Sequence, residues 1–351
     1  MSQKFKKILI IKPSALGDVI TALPALNALR KAFPAAHIAW LIRPEFAPLL
    51  EANKQIDELI LFDRKTLGKA WKSTLAMREL WNLIKKLRSE EFDAVVDFQG
   101  LARTGILGWL SGAKKRFGMA DAREFAPVFY NVKVPADADK PHVVDYYLKI
   151  VNRMGAEIDN PRFVFPENAD ANGALDELLG KSNIKKDKYA VLIPASAQVR
   201  KCWSGENFAI LARKLMSEQG FSVLVTGTKS ENDISQSICD KADGAVNIAG
   251  KTDLKTLVAL LAKASLVVSN DTGPGHIAGA LCTPLVMIFG PSNPRRIYPY
   301  QRPETLAAVE PFDRGKALFS PSPRHAIDAV TVDMVYDKAC QQLKTHKPQH
   351  N

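Results

Sequence analysis

The run Asn270-Asp271-Thr272-Gly273-Pro274-Gly275-His276 concentrates an acid, a hydroxyl, two glycines and an imidazole in one turn. Residues 266–269 before it read as a short apolar strand. Residues 273–281 after it read as a helix of small residues able to pack close to a sheet. Thr272 or Asp271 can cap such a helix, and Pro274 fits its first turn, where a missing N–H is no loss. A helix that starts at the carboxyl edge of a sheet offers free amides and the positive end of its dipole, which suits an anion and commonly a phosphate. The same residues also describe a capped structural helix with a satisfied histidine at 276, and spacing alone leaves both readings open.

Other turns repeat this setting. Residues 8–11 form an apolar strand, and Lys12-Pro13-Ser14-Ala15-Leu16-Gly17 delivers Asp18 to the head of a helix with Val19, Leu23, Leu26, Leu29 and Phe33 on one face. Asp18 is a favoured helix cap. It is equally a base presented to a cleft, where it could take a proton from a hydroxyl. Asp97-Phe98-Gln99-Gly100 ends a strand at 92–98 and runs into Leu101-Ala102-Arg103. Arg64, Lys65, Lys69, Arg103, Arg123 and the run Lys114-Lys115-Arg116 would make a basic rim if these turns share one edge. In the second half, the loop 194–203 carries Ser196 and Lys201, suited to a diphosphate. Gly227-Thr228-Lys229-Ser230-Glu231 offers a carboxylate to ribose hydroxyls or to a helix start.

The elements that must position these residues alternate as strand and helix. Further strands are expected at 37–42 and 58–62, then at 189–193, 221–226, 245–248 and 285–289. The fold class is therefore α/β, with two doubly wound parallel-sheet domains facing a central cleft. The expected boundaries are 1–165 for the first domain, 166–187 for a linker region and 188–330 for the second domain. A C-terminal helix and tail at 331–351 could return to the first domain. A helix at 67–89 is basic and amphipathic, which fits a core helix with a solvated face or one resting on an anionic membrane.

The chain has 351 residues, 46% hydrophobic and 24% charged, and can build two substantial cores. Its net charge of +11 implies an acidic partner. The four cysteines lie far apart without zinc spacing, which fits a reduced, cytoplasmic protein. No apolar run reaches a signal peptide or a membrane span, so membrane contact is expected to be peripheral. Asp137 and Asp139 have D-x-D spacing in a solvated loop, and no strand fixes both carboxylates for a metal.

Taken together, Asp271 to His276 with Ala280-Leu281 and Phe289-Gly290-Pro291-Ser292-Asn293-Pro294 resembles the nucleotide-sugar half of the ADP-heptose:lipopolysaccharide heptosyltransferases, glycosyltransferase family 9. Pro13 to Asp18, Leu23-Pro24-Ala25-Leu26, Arg64-Lys65 with Lys69-Ala70-Trp71, Asp93 to Asp97, Gln99-Gly100-Leu101 and Ala122-Arg123-Glu124 are similar to its heptosyltransferase I branch. Ala15 departs from close relatives, which often carry a second serine in that acceptor loop.

The resemblance implies a GT-B fold and heptose transfer from ADP-heptose to the anionic inner core of lipopolysaccharide, without metal or cofactor. It implies Asp18 as the base and Lys201 as the phosphate-binding lysine. The donor would be held by Ser196, Glu231, Asp271, Thr272, Gly273 and His276. The acceptor would be held by Ser14, Arg64, Lys65, Lys69, Gln99, Arg103 and Arg123. The implied location is cytoplasmic, at the cytoplasmic face of the inner membrane. The alternatives are another nucleotide-sugar transferase of the same family, or a hydrolysing sugar-nucleotide epimerase, which would share the paired domains but need no basic acceptor rim. Nucleic-acid binding would suit the charge, yet the cations lack an aromatic platform and a recognition motif.

Overall fold

The computed structural model describes residues 5–64, 73–139, 141–182, 184, 188–315 and 317–345. Lys65 and Lys69 lie outside the described residues, as does the beginning of the expected helix at 67–89. The chain divides into two compact units, Met1–Glu167 and Asn168–Asn351.

In the first unit β1 (Lys7–Ile11), β2 (His37–Ile42), β3 (Glu58–Leu61), β4 (Ala94–Asp97), β5 (Lys115–Met119) and β6 (Val132–Val134) form one sheet. The order is β3-β2-β1-β4-β5-β6, and every pairing is parallel. Residues 8–11 of β1 and 94–96 of β4 read as unbroken apolar runs because helices cover both faces of a parallel sheet. α1 (Leu16–Ala32) packs on α4 (Val143–Met154). On one face, α2 (Thr74–Ser89) and α3 (Ala102–Leu110) supply Leu83, Leu87 and Leu107 to a core with Leu9, Ile11, Leu41, Ile60 and Val95. The hydroxyl of Ser73 caps α2 by accepting from the amide of Ala76.

The second unit repeats the plan with β7 (Tyr189–Ile193), β8 (Ser222–Val225), β9 (Val246–Asn247), β10 (Leu266–Asn270), β11 (Leu285–Ile288) and β12 (Leu306–Ala307). Its order is β12-β11-β10-β7-β8-β9, all parallel. Counted from its own first strand, this is again 3-2-1-4-5-6, the doubly wound order in which ligands bind where strand order reverses. In the first unit that point lies between β1 and β4, and in the second between β7 and β10. The strong turns of the sequence stand at these carboxyl ends.

Two expectations gain detail and one needs correction. Residues 166–187 are more than a linker: Asn168 caps α5 (Ala169–Lys181), which packs on α8 (Leu254–Lys263) in the second unit. The C-terminal helix α10 (Val332–Thr345) gives its apolar face to the second unit, where Val335, Tyr336 and Ala339 join the core of Leu215, Val268 and Val286. Finally, Lys114 to Arg116 lie at the amino end of the first sheet, because Lys115 pairs with Ala94 at the start of β4. Arg116 there donates to the carbonyls of Phe129 and Ala113, so the run adds nothing to a carboxyl-edge rim. Among the described residues no helix is long and apolar enough to cross a membrane.

Candidate active site

Asp18 occupies the third position of α1, and its Oδ2 accepts a 3.0 Å bond from the amide of Ala15. The capping reading is therefore correct for that oxygen. Its other oxygen, Oδ1, makes no hydrogen bond among the described residues, and the side chain is 34% exposed. Beneath it sits Lys12, 3% exposed, with Nζ 3.8 Å from Asp18 Oδ2 and donating to the carbonyl of Phe98 at 3.2 Å. Burial works against the Lys12 ammonium, but Asp18, Tyr147 and Asp97 outweigh it and hold its pKa above the ordinary lysine value.

The turn after β4 is built on Asp97. Its Oδ1 accepts from the amides of Gln99 and Gly100, and its Oδ2 accepts a 2.6 Å bond from the Tyr130 hydroxyl. Burial pushes the Asp97 carboxyl above its usual range, while Tyr130, Thr104 and the two amides pull the other way. The Tyr130 ring packs on β5 where only glycine fits, since a Cβ on Gly118 would stand 2.3 Å from it. This anchor delivers Gln99, whose Oε1 accepts from the Ser14 amide at 3.3 Å. Ser14, Gln99, Arg64 and Arg103 then line one polar recess, together with Arg43. Arg123 is placed beside it by its backbone, which donates to the Gly100 carbonyl, and its side chain is exposed. The start of α3 is already occupied by a carboxylate, because Glu124 accepts from the Ala102 amide. Arg43 is paired with Glu45, whereas Arg64 and Arg103 make no ion pair among the described residues.

In the second unit, Asn270 ends β10 and ties two loops together. Its amide donates to the Pro194 carbonyl at 2.7 Å, and its oxygen accepts from the Trp203 amide at 3.1 Å. These bonds fix the 194–203 loop against β10, and Lys201 Nζ meets Asp271 Oδ2 at 2.6 Å. His276 Nε2 stands 3.5 Å from Asp271 Oδ1. Burial alone would raise the Asp271 pKa, but His276 and Lys201 more than reverse this and lower it to about 2. The expected cap is not made: the side chain of neither Thr272 nor Asp271 bonds the start of α9 (Gly273–Ala280), because Asp271 is committed to Lys201 and His276. The Thr272 and Gly273 amides make no hydrogen bond among the described residues, so both donors can still take a hydrogen bond at that helix start. Gly275 lets α9 lie on β10, since a Cβ there would meet Ser269 Oγ at 2.7 Å. Ser196 donates to the Asp271 carbonyl at 3.4 Å.

Glu231 behaves as a turn residue, with Oε2 accepting from the Thr228 amide at 2.7 Å. Phe319 was not foreseen. The Arg200 guanidinium lies 3.7 Å from its ring centroid, and Lys201 Nζ lies 5.8 Å away. The loop bearing Phe319 is pinned by the buried Arg314, which donates to the carbonyls of Gly290 and Ser292. Asp137 and Asp139 form only a local turn, with the Asp139 amide donating to Asp137 Oδ1. His37, Glu58 and Glu90 come together at the opposite, amino end of the first sheet, but Lys86 and Lys7 already pair with the two glutamates.

The sequence model of glycosyltransferase family 9 (heptosyltransferase) matches residues 80–317, well over half of the chain. The chain is 29% identical over 324 residues to the lipopolysaccharide core heptosyltransferase OpsX of Haemophilus influenzae, covering 90% of this chain and 88% of that protein. It is 27% identical to lipopolysaccharide heptosyltransferase 1 of Escherichia coli K12, over 84% of this chain and 91% of the relative. Among solved structures, a glycosyl transferase family 9 protein from Veillonella parvula superposes with a TM-score of 0.82 at 23% identity, covering 99% of both chains. E. coli heptosyltransferase WaaC with ADP-2-deoxy-2-fluoro heptose gives 0.76 at 24% identity, covering 95% of this chain and 99% of that one. The paired doubly wound units are thus those of the GT-B heptosyltransferases, and this chain belongs to glycosyltransferase family 9.

Proposed function

We propose that the protein transfers heptose from ADP-heptose to an anionic sugar of the lipopolysaccharide inner core, with inversion at the anomeric carbon and without a metal. The observation that carries this reading is Asp18: one oxygen locks the start of its helix while the other stays open to a ligand, above a buried ammonium. The names of the relatives, and an ADP-heptose analogue on one structural neighbour, support the choice of donor and acceptor.

In this reading Ser14, Arg64, Gln99 and Arg103 hold the acid groups of the acceptor, with Arg123 nearby. Asp18 takes the proton of one acceptor hydroxyl as its oxygen attacks the anomeric carbon. The bond from that carbon to the β-phosphate oxygen breaks, and ADP leaves with the electron pair. Attack from the face opposite the leaving group inverts the configuration. Lys201 and the amides of Thr272 and Gly273 stabilise the charge growing on ADP. Asp271 holds the Lys201 ammonium in place before the donor arrives. Its pairing with Lys201 also means that donor binding draws the ammonium partly away from a carboxylate, so Asp271 serves as a positioning residue. Glu231 is the ribose-binding acid only if it exchanges its bond to the Thr228 amide for one to the ligand.

The test is mass analysis of products from purified protein, ADP-heptose and a defined inner-core acceptor. A single heptose added to the acceptor, with the anomeric configuration inverted by NMR, supports the proposal. Free heptose or an epimerised nucleotide sugar formed from donor alone would replace it with the hydrolysing reading.

A further inference from the structure

On the first unit, α2 and α3 enclose a pocket of about 530 Å³ lined largely by Phe62, Leu80, Ile84, Ile106, Leu107 and Leu110. Arg64 and Arg103 line it too, and both also border the polar recess beside Ser14 and Gln99. Such a pocket is large enough for a hydrocarbon chain, and its two arginines suit an anionic head, Glu124 being the one acid in the lining.

The surface around it is unlike an ordinary solvated helix face. Met77, Leu80, Trp81 and Ile84 follow helical spacing along α2, so the stripe that enters the pocket continues outward into exposed Trp81. Trp81 is 66% exposed, and Trp109, three residues beyond the pocket-lining Ile106 on α3, is 55% exposed. Phe125, next to the pocket-lining Glu124, is 85% exposed. Cations flank the aromatic: Arg78, Lys85 and Arg88 lie three residues before, four after and seven after Trp81, and all are exposed. None of the three makes an ion pair among the described residues. Lys86, off this stripe, is by contrast paired with Glu58 at 2.5 Å.

Exposed tryptophans flanked by unpaired cations, over an apolar pocket, match the chemistry of a bilayer interface. Indole rings lie at the headgroup level, cations meet anionic lipid, and aliphatic surface meets acyl chain. A protein partner would need shape complementarity to this face, and nothing in the structure supplies it, whereas the charge and the hydrocarbon-sized pocket are both met by lipid. We propose that the α2–α3 face of the first unit docks on an anionic phospholipid bilayer, with Trp81 and Trp109 at the headgroup level and the pocket between the helices receiving one acyl chain. The docking is a property of the protein itself and needs neither donor nor acceptor.

The test is flotation of the full chain with vesicles of phosphatidylcholine alone or mixed with phosphatidylglycerol. Binding to the mixed vesicles, weakened by salt and much lower on phosphatidylcholine, is expected. Arg78→Gln with Lys85→Gln should weaken it by roughly fivefold per charge. Trp81→Glu with Trp109→Glu should weaken it by at least about tenfold, at unchanged circular dichroism because both side chains are exposed. Trp81→Phe with Trp109→Phe should still bind. Lipids brominated along the acyl chain should quench tryptophan emission in the wild type and lose most of that quenching in the Phe variant. Equal binding by wild type and the Glu variant, or no binding to mixed vesicles, would overturn the proposal. So would a concentration-dependent dimer that the Glu variant abolishes while wild type ignores the vesicles.

Discussion

Replacing Asp271 with asparagine should remove a measurable part of the second unit's stability in a pH window fixed by the structure. The carboxylate is 5% exposed and sits 2.6 Å from Lys201 Nζ and 3.5 Å from His276 Nε2. Its pKa falls from 3.8 to about 2. At roughly 1.36 kcal/mol per unit, that shift corresponds to about 2 kcal/mol. Because the folded pKa is depressed, this stability is fully present above the unfolded pKa near 4 and is lost as pH falls through about 2. For a unit of this size the loss corresponds to a melting temperature roughly 4–8 °C lower at neutral pH. Lys201 is 18% exposed, so in Asp271→Asn its ammonium can turn to water and the cost stays near this figure. Calorimetric melting of wild type and Asp271→Asn between neutral pH and pH 2 checks the argument. The two curves should be separated at neutral pH and converge in acid. Equal melting temperatures at neutral pH, or a gap that persists undiminished at the acid end, would refute the assigned role.

Lys201→Ala should cost about 2–3 kcal/mol in kcat/KM, the scale of a charged hydrogen bond to an anion, and wild-type activity should survive excess EDTA. Loss of turnover in EDTA with recovery on adding magnesium would contradict the metal-free reading. Gly275→Ala drives a Cβ to within 2.7 Å of Ser269 Oγ. It should destabilise the second unit by about 1–3 kcal/mol and weaken ADP binding, as read by denaturation and calorimetry. Tyr130→Phe removes the 2.6 Å bond to buried Asp97. Urea denaturation should show about 1–3 kcal/mol lost, together with weaker acceptor binding as the Gln99 turn loosens.

Much of the scaffold was legible in the sequence because buried parallel strands leave unbroken apolar runs, as at 8–11, 189–193 and 266–268. The strands read poorly where that signal is diluted. β5 begins Lys-Arg at the sheet's amino end, which in sequence resembles part of a basic rim, and β12 has only two residues. Lys12 gives little signal in the sequence, because a lysine after a strand normally points to water. Only the packing shows it beneath Asp18 and against the Tyr147 ring, 5.5 Å from the centroid. A lysine directly following four apolar residues and preceding Pro13 was the available hint. The cap reading of Asp271 failed because a partner 70 residues earlier, Lys201, competes for the carboxylate, and no local rule sees that distance. Phe319 carries no motif at all, and its place beside Arg200 depends on the loop that Arg314 ties down.

The turnover of Asp18→Asn tests the central claim most directly. Asparagine keeps an oxygen to accept from the Ala15 amide, so the helix start survives while the basic oxygen is lost. With ADP-heptose and a defined inner-core acceptor, the account predicts kcat lower by on the order of a hundredfold or more. Donor affinity by calorimetry should be little changed, since Asp18 belongs to the acceptor's unit. Near-normal turnover in a folded Asp18→Asn protein would contradict the account and leave the residue a helix cap alone.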